Sequence, residues 1–116
     1  MLKTLLTPEQ SAKLIELGVS PERASESKYN RYYQRYNPIF TLADILDILP
    51  KEFNVSGTPA RLQMYNHSAE YWIVSYVIYD GATLTYQKLC STGAGLIDAL
   101  YSLLLWCLEK GYVKLD

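Results

Sequence analysis

The residues from 95 to 111 form an apolar stretch that restricts, more than any other, how this chain can fold. A helical projection at about 100° per residue places one set of apolar side chains on a single face: Leu96, Leu100, Leu103 and Cys107. The opposite, more polar face carries Asp98, Tyr101, Ser102, Leu105 and Glu109. Gly111 fits the left-handed position after a helix, so we predict a helix that ends there. Its apolar face needs a cover, and we expect it to pack on a sheet.

In the preceding part of the chain the hydrophobic pattern changes to a period of two. Residues 61–65, 71–79 and 82–89 are therefore predicted strands, separated by 66–69 and by the hairpin signal Asp80-Gly81. The middle strand is apolar on both faces, which predicts a central strand that is covered on both sides. The C-terminal helix covers one face. The other face requires the N-terminal helices, the tyrosine-rich segment described below or a second copy of the chain.

Three helices are predicted in the N-terminal half from their start signals. Thr7 and Gln10 have the spacing of a capping box, and Pro8 suits the first turn of a helix over 8–17. The motif at residues 20–22 predicts a short second helix that continues to about residue 27. Thr41 and Asp44 repeat the capping pattern at the start of a third helix, which Pro50 stops.

Together these elements predict a single α+β domain over residues 1–116, with the order α-α-α-β-β-β-α and a three-stranded antiparallel meander. The chain is 49% hydrophobic and 20% charged, which fits one domain with a real core. Its net charge of −1 argues against a surface built wholly for nucleic acid or anionic lipid. Pro8 and Glu9 interrupt the N-terminus too early for a signal peptide, and the C-terminal helix is too short for a membrane span. We expect a cytoplasmic protein.

Residues 28–38 have the most unusual composition of the chain, with tyrosines and cations interleaved and no acid. Aromatic rings can stack on bases while cations follow phosphates, so this composition suits single-stranded nucleic acid. Tyrosines are also favoured at protein contacts, and they anchor irregular loops by packing alone. The residues that would form such a contact are Tyr29, Arg31, Tyr32, Tyr33, Arg35 and Tyr36.

Other residues with chemical potential have simpler interpretations. His67, the single histidine, falls in a predicted hairpin turn, where we expect it to face solvent. Asp44 and Asp47 share the polar face of the third helix and are expected to be solvated rather than a catalytic pair. Cys90 and Cys107 are too few for a disulfide framework or a zinc site, so we expect two buried, reduced thiols.

The loop at 91–95 resembles an anion-binding turn before a helix but lacks the lysine and spacing of a phosphate-binding motif, so a capping turn is expected. The sequence therefore predicts no catalytic residue, cofactor or metal site. Leu105 lies on the polar side of its helix, which suggests contact with a protein partner or with a second copy of the chain. We interpret the chain as a non-enzymatic protein-interaction module, with weak nucleic-acid binding through 28–38 as the alternative.

Three segments carry a resemblance to a known group: LTPEQSAKLIELGVSPERAS, YNPIFTLADILDILPKE and LIDALYSLLLWCLEKGYVKL. They resemble small proteins without an assigned activity that are encoded by gut anaerobic bacteria and by their phage-like or mobile elements. The resemblance implies an α+β domain and an origin in a phage or mobile element. It implies no activity, cofactor or site residue.

Overall fold

The computed structural model describes residues 3–68, 71–81, 83–92, 95–113 and 115. The chain is an α+β protein, as predicted, with three α-helices and two antiparallel sheets in the described residues. The helices are α1 (Pro8–Glu16), α2 (Leu42–Ile48) and α3 (Leu96–Lys110). The strands are β1 (Glu26–Asn30), β2 (Arg35–Ile39), β3 (Glu52–Val55), β4 (Thr58–Ser68), β5 (Tyr71–Asp80) and β6 (Thr83–Thr92).

The predicted caps of α1 and α2 are present. The amide of Gln10 donates to the Thr7 hydroxyl at 3.1 Å, and the Thr7 amide donates to the Gln10 side chain at 2.9 Å. Thr41 and Asp44 exchange the same pair of hydrogen bonds at the start of α2. These local interactions satisfy amides that would otherwise have no partner in the first helical turn, which explains why both starts could be predicted.

The prediction of a second helix that continues to about residue 27 is wrong. Only a 3₁₀ turn forms at Pro21–Arg23, and Ala24 already has extended backbone angles. The next residue, Ser25, donates its backbone amide to the Asp44 carboxylate at 2.8 Å, and its hydroxyl donates to the same carboxylate. This attachment to α2 leads the chain into β1 rather than into a further helical turn.

The tyrosine-rich segment forms a β-hairpin, which the sequence analysis did not predict. Strands β1 and β2 pair from Glu26 with Ile39 to Asn30 with Arg35. The Asn30 side-chain oxygen accepts hydrogen bonds from the amides of Tyr32 and Tyr33, at 3.0 and 3.2 Å, and so stabilises the four-residue turn. The predicted order of elements is therefore wrong in this region.

The larger sheet has four strands in the order β3-β4-β5-β6, so the predicted three-stranded meander lacked β3. A tight turn joins β3 to β4, with positive φ angles of 51° at Ser56 and 86° at Gly57. Two successive residues with positive φ are typical of a turn whose twist matches that of a hairpin. Strand β5 lies between β4 and β6, which confirms its predicted central position.

Helix α3 packs on one face of β5 and β6, as predicted. It runs from Leu96 to Lys110, and Gly111 follows in the left-handed conformation with φ 76°. The core between helix and sheet consists of fully or nearly buried side chains, among them Val74, Tyr76, Cys90, Leu100, Leu103, Leu104 and Cys107. An aromatic cluster closes one end of this layer: Phe53, Tyr76, Trp106 and Tyr112.

The N-terminal elements pack beside α3 and the hairpin. Helix α2 contacts α3, and α1 contacts β2. The Gln10 side chain donates to the Asp98 carboxylate of α3 at 3.2 Å, and the Lys3 ammonium lies 3.6 Å from the same carboxylate. No helix in the described part of the chain is long and apolar enough to span a membrane.

Candidate interaction surfaces

The face of the four-stranded sheet opposite α3, here called the open face, is defined by strand register. Residues directly opposite each other in antiparallel strands point to the same side of a sheet. Ile73, Ser75 and Val77 pair with Tyr65, Gln63 and Arg61 of β4, and β6 continues the same rows. The open face consists of Arg61, Gln63, Tyr65, Tyr71, Ile73, Ser75, Val77, Tyr79, Leu84, Tyr86 and Leu89.

Large side chains of the open face are exposed to solvent. Tyr65, Tyr79 and Tyr86 are 61%, 55% and 51% exposed, and Leu84 and Leu89 are also exposed. The prediction that both faces of β5 are covered is therefore wrong for the isolated chain. An exposed contiguous patch of aromatic and aliphatic side chains is typical of an interaction surface rather than of a solvated one.

The open face has a structured centre. Ser75 and Val77 are buried beneath their neighbours, and the Gln63 amide donates to the Tyr79 hydroxyl across the strands. Beside them lies a depression of about 540 Å³, lined by Tyr65, Ile73, Ser75, Tyr86 and Leu89 among others. The aromatic rings of Tyr65 and Tyr86 border this depression, so a side chain of a binding partner could fit into it.

Charge is nearly absent from the open face. Its described charged side chains are Arg61 and its register partner Glu52 on β3, and the Arg61 guanidinium lies 3.2 Å from the Glu52 carboxylate. This pair is exposed and lies at the β3 side of the face. Charged residues are depleted at the centres of protein interfaces and tyrosine is enriched, which matches this distribution.

The β1–β2 hairpin forms a second exposed surface, and here the structure brings the predicted residues together. Tyr29 and Tyr36 pack across the strands with ring centroids 5.0 Å apart. In the turn, Tyr32 is 86% exposed and the Arg35 guanidinium lies 5.3 Å from the centre of the Tyr33 ring. All six predicted contact residues, including Arg31, are exposed.

A groove of about 530 Å³ lies between the hairpin and α1. Tyr33, Arg35 and Tyr36 line it from the hairpin, and Ala12 and Ile15 line it from the helix. Its walls are thus mainly aromatic and aliphatic, and they also include Asn30, Asn37 and the Arg35 cation.

Leu105, predicted as an interface residue, is only partly buried, and its side chain packs against the core. This contact gives the leucine a structural role within the chain.

The two cysteines are buried and free, as predicted. Burial raises the pKa of the Cys107 thiol to about 11, although a hydrogen bond with Tyr76 lowers it and Cys90 raises it further. Burial also raises the pKa of Cys90, while the Lys88 charge lowers it. Since the thiolate is the reactive form, both groups are poor nucleophiles at neutral pH.

Asp44 and Asp47 have different environments, so the expectation that both are solvated is wrong for Asp44. Its carboxylate is buried, and it accepts hydrogen bonds from Ser25 and Thr41. Burial raises the pKa of Asp44, but these hydrogen bonds outweigh that effect and lower it below its usual value. The Asp47 side chain is 82% exposed and lies 3.5 Å from Arg23.

The remaining candidates give no cluster of reactive groups. His67 lies within β4, at the register shift between Asn66 and Ser68, rather than in the predicted turn. Positions 93 and 94 of the predicted capping turn at 91–95 lie outside the described residues; β6 ends at Thr92, and Gly95 precedes α3 without a side-chain cap. In the part of the chain that the structure describes, no group of three or more His, Cys, Asp or Glu residues could hold a metal ion.

The open face cannot be recognised from the sequence of any single strand. Tyr65, Tyr79 and Tyr86 lie on three strands, and only the register shows that they share one side.

Comparisons of the chain with protein-family models, with curated proteins and with solved structures found no match.

Proposed function

We propose that this chain is a small non-enzymatic protein-interaction module that binds its partner through the open face. The observation that carries the proposal is the combination of exposed tyrosines and leucines with a nearly uncharged surface over three adjacent strands. Burial of such a surface stabilises a complex by about 25 cal/mol for each Å² of apolar area that is removed from water. Its rigid sheet scaffold also limits the entropy lost on binding.

The non-enzymatic part of the proposal is supported by the chemistry of the described groups. The raised pKa of Cys107 keeps that thiol protonated at neutral pH, and Asp44 is occupied as a helix cap. We also propose a cytoplasmic location, and the sequence resemblance supports an origin in a phage or mobile element.

Site-specific photocrosslinking tests the proposal. A benzoylphenylalanine placed at Tyr86 should give covalent protein adducts of defined mass in the cells that naturally produce the chain. The same group at Ser102, which is exposed on the outer side of α3, is the matched control and should give none. Adducts no more frequent at Tyr86 than at Ser102 would contradict the proposal.

Weak nucleic-acid binding through the hairpin is the second candidate, favoured by the exposed tyrosines and arginines that β1 and β2 bring together. Fluorescence anisotropy with single- and double-stranded oligonucleotides tests it. We expect binding to single strands at low salt, reduced by the double substitution R31Q/R35Q and by added salt. No binding at low salt would exclude this function, because a contact driven by phosphates is strongest there.

A further inference from the structure

We propose that the partner of the open face is a second copy of this chain, bound face to face about a twofold axis. This inference rests on the proposed function and names its partner. In a twofold interface the same patch meets itself, so the patch must be compatible with its own chemistry and shape. Three features of the open face meet this condition.

The first feature is charge. A patch with net charge would repel its own copy, but the described open face carries Arg61 with Glu52 beside it, and this pair is neutral as a whole. Its polar groups are hydroxyls and an amide, on the tyrosines, Ser75 and Gln63. Each of these groups contains both donors and acceptors, so two identical surfaces can form hydrogen bonds with each other.

The second feature is area. Strand β5 pairs with β4 over seven residues and with β6 over nine, so the face is about 24–31 Å long, and three strands make it about 14 Å wide. Half-exposed tyrosines, each with about 150–250 Å² of surface, raise the accessible area well above that of the flat plane. The face therefore reaches the range of about 600–1,000 Å² that a standard interface takes from each partner.

The third feature is shape. The depression runs from the Tyr65–Ile73 pair to Tyr86, while Tyr79 and Leu84 are exposed beyond Tyr86 at the end of β5. A twofold axis that runs across the strands, near Ser75 and Val77, places Tyr79 of each copy over Ile73 of the other, at the far end of the depression. Two sheets packed in this way lie about 10 Å apart with their side chains interdigitated.

The β6 edge of the sheet is a poorer site for self-association than its open face. Within the described residues β6 pairs only with β5, but a register shift between Tyr76 and Val77 disrupts its ladder, and Lys88 lies next to that point. Bulges and lysines on edge strands oppose the addition of another strand. Self-association by strand addition to β6 is thereby disfavoured.

Sedimentation velocity of the full chain tests the dimer between about 1 and 100 μM, the range in which a modest interface is populated. We expect a species with twice the 13.3 kDa mass of the chain. The substitution Y86K introduces two like charges into the symmetric interface and should raise the dissociation constant about tenfold or more. The matched control Y32K, on the hairpin turn, should leave the constant unchanged, and circular dichroism should show that both variants are folded.

Crosslinking tests the direction of the axis. Cysteines at both positions in I73C/Y79C lie about 20 Å apart within one chain, too far for a short bismaleimide, but they approach each other between copies. The double variant should therefore crosslink into a dimer, whereas Y79C alone should not. Efficient crosslinking of Y79C alone would instead indicate an axis along the strands and overturn the proposed arrangement. The native cysteines are buried and should react slowly.

The outcomes separate this inference from the proposed function. A strict monomer up to the highest concentration, or a dimer that Y86K does not weaken, overturns the second copy as partner. If photocrosslinks at Tyr86 then join the chain to a different protein, the interaction module stands without self-association. If no adduct forms either, both proposals fall.

Discussion

The two faces of the four-stranded sheet have similar hydrophobic sequences but different surroundings. On β5, Val74 and Tyr76 are buried under α3, whereas their neighbours Ile73 and Tyr79 belong to the open face. The difference arises because α3 covers one side and the N-terminal elements pack elsewhere. An apolar strand face therefore does not by itself show that another element of the same chain covers it.

The largest expected difference between the two faces is in the free energy of unfolding. Leu103 is completely buried under α3, so L103A should destabilise the chain by about 2–5 kcal/mol through lost burial and a cavity. Leu89 is exposed on the open face, so L89A should cost less than about 1 kcal/mol in the monomer. Urea unfolding at low protein concentration measures both. Equal losses would show that the open face is already covered.

The same comparison applies to carboxylates of α2. The substitution D44N removes the charge that accepts hydrogen bonds from Ser25 and Thr41. It should lower the free energy of unfolding by about 1.5–3 kcal/mol at pH 7. D47N is the control and should cost at most about 1 kcal/mol, because its ion pair with Arg23 is exposed.

The contribution of Asp44 depends on pH in a defined direction. Its pKa is lower in the folded state than the value of about 3.9 for an unfolded chain. The stabilisation is therefore complete above that value and is lost as the pH falls through the lower folded-state pKa. Unfolding experiments from pH 7 to pH 2 should show the difference between wild type and D44N shrinking below about pH 4. A difference that grows with acid would reverse the assigned sign.

Removal of a tyrosine hydroxyl should also lower the free energy of unfolding more on the covered face than on the open face, although by a smaller amount. The Tyr76 hydroxyl donates to the Pro50 carbonyl at 2.7 Å inside the core, so Y76F should cost about 1–2 kcal/mol. On the open face, the Tyr79 hydroxyl accepts from exposed Gln63, and Y79F should cost less than about 0.5 kcal/mol in the monomer. Thermal unfolding compares the two variants, and a larger loss for Y79F would refute the contrast.

The sequence predicted the elements that local chemistry specifies. Thr7 and Thr41 fix helix starts through their own hydrogen bonds, and Gly111 fixes the end of α3 through its positive φ. The helical period of α3 also identified the buried residues Leu100 and Cys107. These signals act within a few residues, so a single sequence contains them.

The missed elements depend on contacts between distant parts of the chain. Strand β3 has four residues and is held by pairing with β4 and by aromatic contacts of Phe53. The hairpin residues Tyr29 and Tyr36 were identified as candidates, but their pairing required the turn at Asn30. The open face required the register of three strands, which sequence alone does not give.

The aromatic cluster at the end of α3 supplies the chain with a native optical probe. Trp106 lies 6.0 Å from Phe53 of β3 and 5.4 Å from Tyr112, between ring centroids. Its indole emission therefore responds to the detachment of a strand that precedes it by half the sequence. Because Trp72 also emits, the variant W72F isolates this signal, and opening of the sheet edge can then be followed by fluorescence without an attached dye.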